Sequence, residues 1–286
     1  MTLPPFDLHR ASSVEEAREL LERYGEDAAV ICGGTELLLL LKLGFAVFGH
    51  LVDIKGIEEL GGIRAGNGAL VIGSTVTHRE IEREPLVLEH LPALAAMERN
   101  VANIRVRNVG TLGGNLCFSD PHSDPATFLL ALDAEVDYDG ARVPLSEFLV
   151  GPYETALRHG QLLSAVRIPM PTPGMGIAHR KLSFHERPAA TVACAVRVED
   201  GTIAEARIAV GSVGPRPVRA TSAAEALVGR SSGDAGQLAE AAALAAEAAE
   251  AVEDANGSTE YKQQLIRVLV ERCFRDAAEA STGATP

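Results

Sequence analysis

The chain contains 286 residues, of which 47% are apolar and 23% are charged. This composition is typical of a globular protein with an aliphatic core, and it excludes an intrinsically disordered chain. The formal net charge of -13 argues against a nucleic-acid-binding protein, because such a protein needs a basic surface to displace the counterions of the phosphate backbone.

The N-terminal sequence MTLPPFDLHRASSVEEARELL lacks the basic region, apolar core and small-residue cleavage site of an export signal. The most apolar run, LLLLLKLG from Leu37, is far shorter than the roughly 20 residues that cross a membrane. The four cysteines are widely spaced and form no CxxC motif: Cys32, Cys117, Cys194 and Cys273. We therefore expect a cytoplasmic protein with reduced thiols, no membrane span and no locally ligated zinc or iron-sulfur cluster.

In chain order, the first predicted element is a helix that starts after Ser13 and ends at Gly25. Ser13 and Glu16 have the spacing of a capping box, which stabilises a helix N-terminus. The sequence AAVICGGTELLLLLKLG then predicts a strand, a glycine turn and a helix. The next strand is predicted in HLVDI, and residues 66–68 predict a hairpin turn before a helix that starts at His78.

Residues 92–107 are predicted to be helical and then extended, with Arg105 and Arg107 on one face of a strand. The stretch 169–176, rich in proline and glycine, predicts a domain boundary. Beyond it, the pattern predicts a hairpin that turns at Asp200–Gly201 and two C-terminal helices. The alanine-rich first helix is expected to pack on its own sheet, with another subunit as the alternative partner. This mixture of elements predicts an α+β fold.

Two glycine-rich turns stand out, CGGTE at 32–36 and GTLGG at 110–114. Glycine allows backbone N–H groups to approach a ligand closely, and a turn that enters a helix directs these donors toward an anion. The turns therefore indicate a diphosphate site, with an ordinary tight turn as the alternative for each of them. Neither turn has the spacing of a Rossmann fingerprint or a P-loop, and the chain has no GxSxG motif.

The loop that follows the second turn contains Asp120, His122 and Asp124. Its prolines and spacing predict an Asx turn, in which the carboxylates bind backbone or ligand hydroxyl groups, rather than a metal site. We expect His122 to be a solvated loop residue. Arg105 and Arg107, shortly before the turn, either offset phosphate charge or lie at an exposed strand edge.

A pattern on a larger scale lies in five ordered segments: ICGGTELLLLLKLG, LVDIKGIEEL, LVIGSTVTHREIE, VRNVGTLGGNLCFSDPHSDPA and GSTEYKQQLIRVLVERC. Their order resembles the FAD-binding (medium) subunits of molybdenum hydroxylases, a family that includes the carbon monoxide dehydrogenase medium subunit and the flavin domain of xanthine dehydrogenase. The resemblance implies an α+β fold with a two-lobed FAD-binding domain of the vanillyl-alcohol-oxidase (PCMH) type and a smaller α+β C-terminal domain. The implied ranges are 1–172, with lobes of about 1–55 and 56–172, and 173–286.

The resemblance also implies that the FAD diphosphate lies between the two glycine turns, with Gly33, Gly34 and Thr35 as the main donors. Asp124 is expected to meet the nucleotide part of FAD, and Lys181 to lie beside the flavin. The full set of implied cofactor-binding residues is Val30, Ile31, Cys32, Gly33, Gly34, Thr35, Glu36, Leu37, Val101, Gly110, Thr111, Leu112, Gly113, Gly114, Asn115, Asp120, Asp124, Leu163 and Lys181.

Two of these positions depart from the family pattern. Cys32 replaces a small residue before the glycine pair, and Glu36 stands where a short polar residue is more usual. A carboxylate repels a neighbouring diphosphate, so we expect Glu36 to point away or to bind a donor or a ribose hydroxyl group.

The function that the resemblance implies is that of one subunit of a larger molybdenum-dependent dehydrogenase. A large molybdenum-cofactor subunit oxidises the substrate, a small 2Fe-2S subunit relays the electrons, and FAD passes them to a quinone, NAD or oxygen. No catalytic residue and no metal site is expected in this chain. The alternatives are a self-sufficient flavin-dependent reductase or oxidase of the same fold and a flavin-free assembly or nucleotide-binding module.

Overall fold

A computed structural model describes residues 2–184 and 187–283 of the chain. The chain begins with a three-stranded parallel sheet of strand order β1-β3-β2 and the two helices that connect its strands. These elements are β1 (Asp7–Arg10), α1 (Val14–Tyr24), β2 (Ala28–Ile31), α2 (Leu37–Leu43) and β3 (His50–Asp53). The predicted strand, turn and helix are thus confirmed as β2, the glycine turn and α2.

Helix α1 begins and ends where the sequence predicts. The Ser13 hydroxyl accepts a hydrogen bond from the Glu16 N–H, and Gly25 is the C-cap. The Glu16 carboxylate, however, accepts from the N–H and hydroxyl of Ser12, so the capping box is not closed on Ser13 itself. Ala17 and Leu21 are buried and anchor the helix in a small core beneath this sheet.

A second, five-stranded antiparallel sheet has the strand order β4-β5-β10-β6-β7. Its strands are β4 (Ile63–Gly66), β5 (Ala69–Gly73), β6 (Glu135–Tyr138), β7 (Ala141–Pro144) and β10 (Leu163–Pro169). The predicted hairpin at residues 66–68 is confirmed, because β4 and β5 pair on either side of it. A short hairpin of β8 (Leu149–Gly151) and β9 (Glu154–Thr155) lies beside this sheet.

A layer of short helices covers the inner face of the second sheet. They are α3 (His78–Arg83), α4 (Pro85–His90), α5 (Pro92–Glu98), α6 (Ile104–Arg107), α7 (Leu112–Phe118), α8 (Asp124–Ala131) and α9 (Leu145–Phe148). Helix α3 starts at His78 as predicted, with a closed capping box between Thr77 and Glu80. The apolar residues of this helix layer belong to the largest core among the described residues.

The prediction of an extended segment in NIRVRN is wrong, because these residues form α6. The Asn103 side chain accepts hydrogen bonds from the N–H groups of Arg105 and Val106, which caps a helix rather than a strand. Arg107 consequently turns inward, where it donates to the Val101 carbonyl oxygen, while Arg105 stays exposed. The two arginines therefore do not share the face on which alternation placed them.

The C-terminal part is built on a four-stranded antiparallel sheet of strand order β11-β12-β13-β14. Its elements are β11 (Met175–Ser183), β12 (Pro188–Glu199), β13 (Thr202–Gly211), β14 (Val218–Arg219), α10 (Thr221–Leu227), α11 (Ala235–Ala248) and α12 (Thr259–Thr282). The predicted hairpin at Asp200–Gly201 and the two terminal helices are confirmed. Alanines of α11 lie in the core that this sheet shares with α10 and α12, so the helix packs within its own part of the chain.

The C-terminal sheet is covered on its other face by α8, which contacts both β12 and β13. All eight residues of α8 are buried, and the core of the second sheet extends to Ala193 and Ala209 of the C-terminal sheet. Helix α8 therefore packs between the second sheet and the C-terminal sheet within one continuous core.

In the two described ranges, none of the helices has the length and apolar character that a membrane crossing requires.

Candidate functional site

A cavity of about 360 Å³ opens between the carboxyl end of β2, the helices α6 and α7, and the segment that leads into β12. Both glycine turns and the loop of Asp120 and Asp124 line it. Its volume lies in the range of roughly 300–1,000 Å³ that small-molecule and cofactor sites occupy.

The first glycine turn follows β2 and precedes α2. Gly33 lies directly against the second turn, where a Cβ atom would overlap the carbonyl oxygen of Val109. Among the described residues, the N–H groups of Gly33, Gly34 and Thr35 donate to no protein acceptor. The first turn therefore presents free backbone donors at the cavity wall, which is what an anionic ligand requires.

The second glycine turn lines the cavity, but the N–H groups of Leu112, Gly113 and Gly114 already donate to acceptors within the protein. The Leu112 N–H donates to the Val76 carbonyl oxygen at 3.0 Å, and the Gly113 N–H donates to that of Ser74 at 3.1 Å. A Cβ atom on Gly113 would lie 2.5 Å from the Ser74 carbonyl oxygen, so glycine permits the close contact between α7 and the end of β5. The Gly114 N–H is also used, by the side chain of Thr111 at the start of α7.

The loop between α7 and α8 contains the predicted Asx turn. The Asp120 carboxylate accepts a hydrogen bond from the His122 N–H at 2.9 Å. The prediction of a solvated His122 is wrong, because its Nδ1 lies 2.8 Å from the Pro188 carbonyl oxygen and the residue is half-buried. In residues 2–184 and 187–283, no group of three or more His, Cys, Asp or Glu side chains is arranged to hold a metal ion.

Asp124 begins α8 and is buried. Its Oδ2 accepts from Lys181 Nζ at 2.6 Å, and the same ammonium group donates to the Asn100 carbonyl oxygen at 2.7 Å. Asp124 Oδ1 has no hydrogen-bond partner within the described part of the chain. His179 Nε2 lies 3.6 Å from this oxygen, too far for a hydrogen bond. A buried carboxylate oxygen without a partner is costly, and Asp124 itself lines the cavity.

His179 lies behind this pair on β11, two residues before Lys181 and therefore on the same face of the strand. The pKa of His179 is lowered from 6.5 to about 4, chiefly by burial; the charge of Asp124 opposes this shift, and that of Lys181 adds to it. The imidazole is thus neutral at pH 7, with its Nε2 2.7 Å from Thr191 Oγ1. Among the described residues, Lys181 supplies the positive charge that balances Asp124.

Glu36 points toward a positive group, one of the two outcomes expected for it. Its Oε2 accepts from an Arg187 nitrogen at 3.1 Å. Burial raises the pKa of the Glu36 carboxyl, Arg187 lowers it and Asp120 raises it. The Glu36 carboxylate is therefore paired with Arg187 and is not left as an unbalanced negative charge in the first turn.

Of the cofactor-binding residues expected from the sequence, all except Leu112 and Lys181 line the cavity. Leu112 is fully buried in the core behind the second turn, and Lys181 reaches the cavity through Asp124.

Sequence reasoning missed several polar residues of the wall, among them Ser74, His78 and Arg187. Ser74 carries a buried hydroxyl without a protein partner among the described residues, and His78 Nδ1 lies 2.7 Å from Oε2 of the buried Glu98. A polar residue between a strand and a capped helix was the only available signal for Ser74 and His78. Nothing local marks Arg187, which is distant in sequence from both turns.

Two family models match the chain. Residues 4–171 match the FAD binding domain in molybdopterin dehydrogenase, and residues 178–277 match the CO dehydrogenase flavoprotein C-terminal domain. The carbon monoxide dehydrogenase medium chain of Hydrogenophaga pseudoflava is 34% identical over 97% of this chain and 98% of its own. A putative xanthine dehydrogenase FAD-binding subunit of Escherichia coli is 31% identical over 96% of this chain and 97% of its own.

Solved structures show the same fold. The carbon monoxide dehydrogenase of Hydrogenophaga pseudoflava that lacks the Mo-pyranopterin moiety superimposes with a TM-score of 0.93 at 33% identity, covering 100% of both chains. The predicted two-lobed FAD-binding fold with an α+β C-terminal domain is thereby confirmed, and the relatives are medium subunits of multi-subunit molybdenum hydroxylases. The chain belongs to the family of the FAD binding domain in molybdopterin dehydrogenase: it is the flavoprotein subunit of a molybdenum-dependent dehydrogenase, and its cofactor is FAD.

Proposed function

We propose that the cavity between the two glycine turns holds the FAD. The observation that carries this proposal is the set of free N–H groups of Gly33, Gly34 and Thr35 in a cavity that both glycine turns line. Buried Asp124, whose Oδ1 has no hydrogen-bond partner among the described residues, lines the same cavity. FAD presents anionic phosphate oxygens as well as N–H and hydroxyl donors, so its chemistry fits both kinds of group.

Within this proposal, the residues divide by what they offer. The N–H groups of the first turn face the diphosphate, and Asp124 accepts from an N–H or hydroxyl group of the cofactor. Lys181 acts through Asp124, because its ammonium group fixes the carboxylate. Val101 and Leu163 add apolar wall that excludes water.

When bound, the flavin supplies a redox centre that exchanges electrons singly or in pairs. We propose that this subunit takes electrons from a 2Fe-2S small subunit, that a molybdenum-cofactor large subunit oxidises the substrate, and that an external acceptor removes the electrons. The printed names of the relatives, medium chains and FAD-binding subunits of dehydrogenases, support this division. The four free cysteines and the acidic charge are consistent with a cytoplasmic complex.

The first experiment is the visible absorption spectrum of the purified chain, followed by chromatography of the small molecule released on denaturation. We expect flavin absorption and release of FAD. Protein that stays colourless after incubation with FAD, both alone and co-expressed with its partner subunits, would contradict the proposed site. Reduction of the assembled complex, followed by addition of NAD, a quinone or oxygen in turn, identifies the acceptor by the loss of the reduced-flavin spectrum.

A further inference from the structure

A single arginine spans the mouth of the cavity. One terminal nitrogen of Arg187 lies 3.1 Å from Glu36 Oε2, and the other lies 3.1 Å from Asp120 Oδ2. Glu36 belongs to the first glycine turn, and Asp120 belongs to the loop between α7 and α8. Arg187 thus joins the two walls of the cavity from a third segment of the chain, the one that enters β12.

The charges around the cavity make Arg187 important for an anionic ligand under the proposed function. Its described lining contains three carboxylates, those of Glu36, Asp120 and Asp124, and no other lysine or arginine than Arg187. Lys181, behind the wall, is already paired with Asp124. Without Arg187, the carboxylates of Glu36 and Asp120 would face a diphosphate with no local positive charge, and like charges at short range repel strongly.

The geometry of the guanidinium group allows it to serve more than the two carboxylates. The group carries five N–H donors in a planar fork, and its contacts with Glu36, Asp120 and Tyr153 still leave donors free. We propose that Arg187 is a cofactor-binding residue, whose charge offsets Glu36 and Asp120 and whose remaining N–H groups bind the anionic part of FAD. This inference rests on the proposed function of the cavity.

A purely structural ion pair would behave differently. The side chain of Arg187 is 50% exposed, those of Glu36 and Asp120 are 35% and 11% exposed, and an ion pair whose cation stays half in water contributes little to folding stability. The inference therefore requires that loss of Arg187 weakens FAD binding while the melting temperature of the apoprotein stays nearly constant. It also requires that removal of Glu36 relieves part of the loss.

The experiment is a fluorescence titration of flavin-free protein with FAD, alongside thermal denaturation of each apoprotein. We expect R187Q to raise the Kd about 10- to 100-fold, the size of effect that a lost charge-assisted hydrogen bond produces. R187K, which keeps the charge but not the fork, should lie between R187Q and wild type. In the double variant E36Q/R187Q, part of the affinity should return, because one of the two unbalanced carboxylates is gone while Asp120 and the loss of the Arg187 donors remain.

The matched control is R105Q, which removes an exposed arginine that does not line the cavity and should leave the Kd unchanged. Equal Kd values for R187Q and wild type, or a double variant that binds no better than R187Q, would overturn the inference. If R187Q unfolds, the comparison of R187K with wild type decides it in the same way. Wild-type apoprotein that binds no FAD would instead count against the proposed cofactor site.

Discussion

Lys181 Nζ lies 2.6 Å from Asp124 Oδ2, and this contact joins the C-terminal sheet to the first residue of α8 at the cavity. Replacing Lys181 with methionine leaves a buried carboxylate without its counter-charge. We expect K181M to lower the free energy of unfolding of the apoprotein by about 3 kcal/mol, measured by urea denaturation.

The control for this prediction is K42M, which removes an exposed lysine and should change stability by less than about 0.5 kcal/mol. The double variant D124N/K181M should recover part of the loss, because the amide does not need a counter-charge. Equal stabilities for K181M and K42M would show that the ion pair does not support the fold.

Gly113 is the second test of the site. A Cβ atom at this position meets the Ser74 carbonyl oxygen at 2.5 Å and the Ser74 Cβ at 2.6 Å. G113A should therefore push α7 away from β5, cost about 1–3 kcal/mol of stability and reduce the flavin absorbance per protein. G56A is the matched control, since no atom lies within 4 Å of its added Cβ. Unchanged flavin content in G113A would argue against a cofactor held at the second turn.

Acid sensitivity should arise partly from His179. Its pKa in the folded protein is about 4, below its ordinary value of 6.5, so the unfolded chain takes up the proton first as the pH falls. The stabilising contribution is complete above about pH 6.5 and is lost as the pH falls toward 4, by about 3 kcal/mol in total. H179Q should therefore lose less stability than wild type between pH 7.5 and pH 4.5 in urea denaturation. The exposed His159 provides the control variant H159Q, and an identical pH profile for H179Q and wild type would contradict the prediction.

The cavity thiol of Cys117 should be unreactive despite its place in the wall. Burial raises its pKa from 9.0 to about 12, so the thiolate fraction falls about 1,000-fold. Iodoacetamide at pH 8, followed by mass spectrometry of the peptides, should label Cys117 about 1,000-fold more slowly in the folded protein than in denaturant. Equal labelling rates in the two states would show that the thiol is not desolvated.

Local patterns allowed much of the fold to be predicted from the sequence. The helix that starts after Ser13, the hairpin at residues 66–68 and the helix that starts at His78 depend on caps and turns encoded within a few residues. NIRVRN failed for a related reason: alternation of charge and apolar character favoured a strand, whereas the capping side chain of Asn103 selected a helical turn.

The parts of the candidate site that depend on local backbone conformation could be predicted from the sequence. The parts that depend on contacts between distant segments could not. The two glycine turns are recognisable in the sequence. The hydrogen bonds of the Leu112 and Gly113 N–H groups, however, depend on Val76 and Ser74, which lie in the loop between β5 and α3. The Arg187 contacts with Glu36 and Asp120 join segments far apart in sequence, so no local pattern encodes them. The division at residues 172 and 173 stays a proposal.

Helix α8 ties the position of Asp124 to the C-terminal sheet, because its buried residues pack against β12 and β13 as well as against the core of the second sheet. An α-helix turns about 100° per residue, so one residue inserted within α8 would rotate its two ends relative to each other by that angle. Either Asp124 would leave Lys181, or the residues that face β12 and β13 would leave their partners. The number of residues in α8 is therefore as strictly constrained as their identity, and natural variation in chain length should fall in the connecting loops instead.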